Sequence, residues 1–182
     1  SVFGVIFFGF LLSFFINKIN WSLLRFKIFL FFMFITIFLL AKYILVDVLM
    51  SISSRVEAYS ESEYAEAVGL FRLPNIKAIL TLFILIAFMD KNLYKNKIFT
   101  IFTLLFVVGV GMRLGFADFG ILSGRFAVSF TYTEIYILPF IFRRFGVLGL
   151  LGLVLFIIFQ AIATYYFQAP YIFEDYFRPL GY

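Results

Sequence analysis

Residues 109–139 read GVGMRLGFADFGILSGRFAVSFTYTEIYILP and carry Arg113, Asp118, Arg125 and Glu134 in otherwise apolar surroundings. A charge at bilayer depth costs ~2.5–3.5 kcal/mol on insertion scales, so each of these groups needs a partner or a task. Guanidiniums on either side of a glycine-rich stretch suit a phosphate or pyrophosphate, because the planar fork donates paired, charge-assisted hydrogen bonds. Glycine-rich turns can add backbone N–H donors to such a site, and glycines at 109, 111, 115, 120 and 124 are expected to release the backbone from helical geometry. Glu134 lies nine residues beyond Arg125, roughly 13–14 Å of helix rise, too far for an ion pair within one straight helix. Either its partner sits on another helix or it is held neutral, and it serves either packing or acid–base and substrate-binding chemistry. Thr131, Tyr132, Thr133 and Tyr136 turn this stretch toward the bundle interior, and Pro139 is expected to kink it.

The elements that must position these groups follow from composition. The 182 residues are 64% hydrophobic and 14% charged, against about 45–50% and about 25% in soluble domains. The apolar runs have helix length and lack the ~10-residue alternation of barrel strands. The chain is therefore predicted to be an all-α polytopic membrane protein. Cysteine and histidine are both absent, which excludes disulfides, Cys/His zinc sites and histidine acid–base chemistry. There is no Walker A loop, no GxGxxG after a strand and no DxD-like pair, so no nucleotide, metal or other cofactor is expected.

Six apolar segments are marked, at 2–16, 28–46, 76–89, 98–112, 121–142 and 147–167. The first, 15 residues long, spans about 22 Å, short of a hydrocarbon core of about 30 Å. It is expected to be the end of a truncated helix, with 1–182 forming a single transmembrane domain from the C-terminal part of a longer chain. The connectors 17–27, 90–97 and 143–144 hold eight of the basic residues and one acid, while the rest of the chain is net acidic. Cytoplasmic loops accumulate Lys and Arg. These three connectors are therefore predicted to be cytoplasmic, with both the first residues and the C-terminus outside. The net charge of +5 thus reports topology and gives no cue for nucleic acid.

That orientation leaves Arg55, Arg72, Arg113 and Arg125 outside, against the usual bias, as candidate substrate-binding residues. Lys42 and Lys77 also fall there and read as snorkelling anchors at helix ends. The outer connector 47–75 is expected to contain an amphipathic helix with Arg55, Tyr59 and Glu63 on one face. It could be a solvated interfacial helix or a lid carrying Arg55 and Tyr59 over an outward cavity. Gly120 with Gly124, and Gly146, Gly149 and Gly152, read as close helix packing. The aromatic tail 169–182 could be an interfacial belt or a cap on the cavity.

The segment GILSGRFAVSFTYTEIYILPFIFRRF has Arg125 near a helix start, aromatic and polar residues after it, and Leu138-Pro139 near its end. It resembles the C-terminal half of the EpsG/Wzy-like polysaccharide polymerases, as does an outer helix bearing Arg55 and Tyr59. The resemblance covers residues 50–180 or so. It implies a bacterial inner-membrane enzyme that joins oligosaccharide repeat units carried on undecaprenyl pyrophosphate, on the outer side. Arg113 and Arg125 would then bind pyrophosphate, Arg55 would close from above, and Asp118 or Glu134 would be the base. Its partners would be the lipid-linked oligosaccharide, membrane lipids and other polysaccharide-assembly membrane proteins. The same arginines would also serve a transporter or flippase subunit for lipid-linked sugars, and a non-catalytic scaffold would use them for packing.

Overall fold

Helix starts coincide with residues that can cap them. Ser22 accepts the Arg25 amide at 3.4 Å, Asp90 accepts the Leu93 amide at 2.8 Å, and Asn96 accepts those of Ile98 and Phe99 at 3.1 and 3.2 Å. Such side chains satisfy N–H groups that the first turn leaves without partners. In another helix Pro74 sits in the first turn, where its missing N–H costs nothing. A computed structural model describes residues 9, 11, 22–52, 69–119 and 122–163, excepting the side chains of 50, 52, 125, 126 and 163. Every element among the described residues is helical.

In chain order these are α1 Leu23–Leu40, a π-helical turn Ala41–Leu45, α2 Val46–Ile52, α3 Leu73–Phe88, α4 Lys91–Lys95 and α5 Lys97–Gly115. A second π-helical turn Leu122–Phe126 follows, then α6 Val128–Thr131, α7 Glu134–Phe142, a 3₁₀ turn Arg143–Phe145 and α8 Gly146–Ala163. Three stretches, Leu23–Leu49, Lys97–Gly115 and Glu134–Ile162, are long and apolar enough to cross a membrane, and Leu73–Phe88 is a shorter apolar helix. The protein is an all-α membrane protein. It divides into two compact units, Ser1–Ile141 and Phe142–Tyr182.

In the first unit α5 is the hub. Its span is 72% buried, against 11% for Leu23–Leu49, so its sides are covered by protein. Phe99, Phe106, Val107 and Val110 of α5 pack with Phe26 and Leu30 of α1, Leu82 and Leu85 of α3, and Ile137 and Ile141 of α7. In lipid, helices gain little from apolar burial alone, and small residues that admit close approach carry the association. A Cβ on Gly111 would lie 2.8 Å from Ile37 Cγ2 of α1, and one on Gly109 would lie 2.8 Å from the Thr131 backbone nitrogen of α6. Gly115 likewise faces Ala41. Contacts advance in the same direction along α1 and α5, so these two helices are parallel.

Lys27 Nζ donates to the Ala87 carbonyl at 3.3 Å, and the Phe26 and Tyr94 rings lie 4.8 Å apart. The start of α1 therefore meets the end of α3 at the basic connectors. At the opposite end the start of α3 meets the close of α5.

Two expectations are corrected. Gly109 and Gly111 do not release the backbone: α5 stays helical through both, because they are packing contacts and neighbouring helices hold the turns in place. Segment 121–142 is not one helix. It is broken around Ala127 and again at Tyr132-Thr133, where the Thr131 and Thr133 hydroxyls donate to the carbonyls of Val128 and Phe130. Hydroxyls that bond the local backbone compete with the helical ladder. Among the glycines, Gly124 has open space where a Cβ would go, while Gly152 lies against the Phe142 ring within the second unit. Segment 2–16 apart from Gly9 and Leu11, the connector helix at 53–68, Gly120 and the tail beyond 163 lie outside the described residues.

Candidate functional site

The end of the first unit opposite the connector 90–97 holds a charged cluster built from three helices. Lys77, in the second turn of α3, pairs with Glu134, the first residue of α7, at 2.5 Å between Nζ and Oε1. The side chains are 14% and 9% exposed, so this is a buried pair, in which removal of either partner strands the other. Lys77 is thus no snorkelling anchor. Its ammonium turns inward because Glu134 is there, and Glu134 has the interhelical partner that its depth requires. The second oxygen of Glu134, Oε2, is buried and accepts no hydrogen bond among the described residues.

Arg113 closes α5 beside this pair and is near enough to Glu134 for electrostatic attraction. Its Nε donates to Asn75 Oδ1 at 3.0 Å. Asn75 is fully buried, and its Nδ2 donates to the Gly69 carbonyl at 3.1 Å. Among the described residues no acceptor takes the terminal nitrogens of Arg113. The Arg113 carbonyl accepts the Ser123 hydroxyl at 2.9 Å. That bond ties the last turn of α5 to the π-helical turn Leu122–Phe126, whose backbone includes Arg125. Around it Ala41, Val46 and Phe116 form a small apolar cluster with Leu45, Met112 and Leu122. Both π-helical turns therefore lie at this end of the first unit. Such turns recur at functional sites because the widened turn frees a carbonyl and redirects side chains.

The predicted site residues divide accordingly. Arg113 and Glu134 come together, and the backbone of Arg125 approaches Arg113 through Ser123. The Arg125 side chain lies outside the described residues, as do Arg55 and Tyr59. Arg72 is exposed at the N-cap of α3 and Asp118 is exposed in the turn after α5; neither is part of the buried cluster. Asn75 was not singled out from the sequence, and Lys77 was read there as an anchor and not as a site residue. A signal for Lys77 was present: Glu134 is the one acid inside an apolar segment, and Lys77 is a cation inside another, 76–89.

The fold and this cluster define the class: a polytopic helical membrane protein with a charged, partly buried cluster at the end of its first unit away from the connector 90–97. The chain belongs to the EpsG family, which matches residues 2–178 and is a family of Wzy-like polysaccharide polymerases. Neither the curated proteins nor the solved structures gave a match.

Proposed function

We propose that the protein polymerises undecaprenyl-pyrophosphate-linked oligosaccharide repeat units on the outer face of the bacterial inner membrane. The observation that carries this reading is the buried cluster in which Arg113 keeps its terminal N–H groups, and Glu134 one oxygen, without partners among the described residues. The first is a fork for a pyrophosphate and the second is an acceptor for a proton.

In the reaction, an acceptor sugar hydroxyl attacks the anomeric carbon of the donor glycan. A new C–O bond forms as the bond to the lipid pyrophosphate breaks, and the pyrophosphate leaves with the electron pair. The hydroxyl proton passes to Glu134 Oε2. Arg113, with Arg125, binds the pyrophosphate and stabilises the charge that develops on the leaving oxygen, where fixed donors act most strongly. Glu134 is preferred to Asp118 as base because Asp118 is exposed and water competes for it. Arg55 and Tyr59 on the outer connector, with Arg72 at the rim, would hold the lipid-linked substrate from above. The partners are this substrate, the surrounding lipids and other membrane proteins of polysaccharide assembly.

Replacing Arg125 by Ala, or by Lys to keep the charge but lose the fork, should abolish long-chain polymer in cells that depend on this protein. Normal chain length in both variants would contradict the proposal.

A further inference from the structure

Asn75 and Lys77 stand two residues apart at the start of α3, about 200° around the helix axis. One turn of one helix can therefore reach two neighbours, and it does: Asn75 contacts Arg113 on α5, and Lys77 contacts Glu134 on α7. We propose that this turn is a two-armed brace, with Asn75 the positioning residue for the anion-binding Arg113 and Lys77 the positioning residue for the base Glu134. This rests on the polymerase reading above and adds two residues to it.

Each arm leaves a defined group available. Asn75 is oriented without ambiguity, because its Nδ2 donates to the Gly69 carbonyl and its Oδ1 must then accept. That oxygen engages Arg113 at Nε and leaves the Nη1–Nη2 edge, whose paired N–H groups match a phosphate's oxygens. Lys77 engages Glu134 through Oε1 only, so Oε2 remains as the proton acceptor. The ammonium also supplies the counter-charge that a carboxylate needs at this depth. Pyrophosphate fork and proton acceptor are thus referenced to one rigid turn, whose entry is stiffened by Pro74.

The test uses the purified full chain and the lipid-linked repeat units that accumulate in cells lacking it. Lys77→Met should lower kcat by about 10²-fold, the range of a displaced general base, with KM unchanged. Lys77→Arg should recover most of that loss. Asn75→Ala should raise KM for the lipid-linked donor about tenfold, as loss of a charge-assisted hydrogen bond does. The reversed pair Lys77→Glu with Glu134→Lys keeps the ion pair but removes the base. It should melt near wild type yet not turn over, which assigns the base to position 134 and shows that the ion pair alone does not suffice. Wild-type kcat and KM in Lys77→Met and Asn75→Ala, or turnover by the reversed pair, would overturn the brace. If Arg113→Ala and Glu134→Gln are inactive while Lys77→Met and Asn75→Ala are not, only the brace falls. If Arg113→Ala and Glu134→Gln are fully active, the polymerase reading of this site falls with it.

Discussion

Arg113 is held at the end of an apolar helix by what it touches. Its Nε is bound by a buried amide and its backbone carbonyl by Ser123, so side chain and main chain are each held before any substrate arrives. Fixed donors are what make electrostatic stabilisation effective, because nothing has to reorganise when charge develops. Arg113→Lys retains a cation but loses both the Nε bond to Asn75 and the two-pronged edge. Its turnover should fall by roughly 10²–10³-fold, close to that of Arg113→Ala. A steady-state assay on lipid-linked donor decides it: full turnover by the lysine variant would mean that a point charge suffices. Glu134 was legible in the sequence as a group that either has a partner on another helix or is held neutral. The identity of that partner was not, because Lys77 near a helix start equally fits a side chain that snorkels to the interface.

At the scale of elements, the site depends on how closely the hub helix α5 is approached. Gly109 abuts α6, with a hypothetical Cβ only 2.7 Å from Phe130 Cβ, and α7 begins with Glu134 three residues after α6 ends. Gly109→Val should push α6 away, shift Glu134 and destabilise the fold by about 1–3 kcal/mol, as overpacking does. Gly124→Ala, where the space is open, should leave the melting temperature of the detergent-solubilised protein unchanged. Equal melting temperatures for the two variants would refute this account of the packing. Helix positions were readable from apolar runs: α3 and α5 start within a few residues of the predicted 76–89 and 98–112. The role of the glycines was not readable, since a glycine signals either a broken helix or a close neighbour and only the neighbour decides. The breaks at Ala127 and Tyr132-Thr133 were hidden for a related reason. Threonines inside an apolar run read as an interior-facing surface, while their hydroxyls are spent on the local backbone.

At the scale of the molecule, the account rests on an orientation. Lys27, Lys91, Lys95 and Lys97 gather at one end of the first unit, and Asn75, Arg113 and Glu134 at the other. We propose, from the positive-inside bias, that the first end faces the cytoplasm. Because the sequence contains no cysteine, single cysteines report this cleanly. In spheroplasts, a membrane-impermeant maleimide should label Phe71→Cys, which is 88% exposed in the wild-type residue, at once. It should label Asn92→Cys only after permeabilisation. The reverse pattern would turn the site to the cytoplasm and remove it from an outer-face reaction.

The central claim is that the cluster of Arg113, Glu134 and their partners lengthens a lipid-linked glycan. The most direct measurement incubates the purified protein with lipid-linked repeat units and resolves product chain length by gel. Wild-type protein should yield a ladder, while Arg113→Ala and Glu134→Gln, folded to the same melting temperature, should leave the single unit unextended. An intact ladder from both variants, or no ladder from the wild type when the units only change leaflet in reconstituted vesicles, would contradict it.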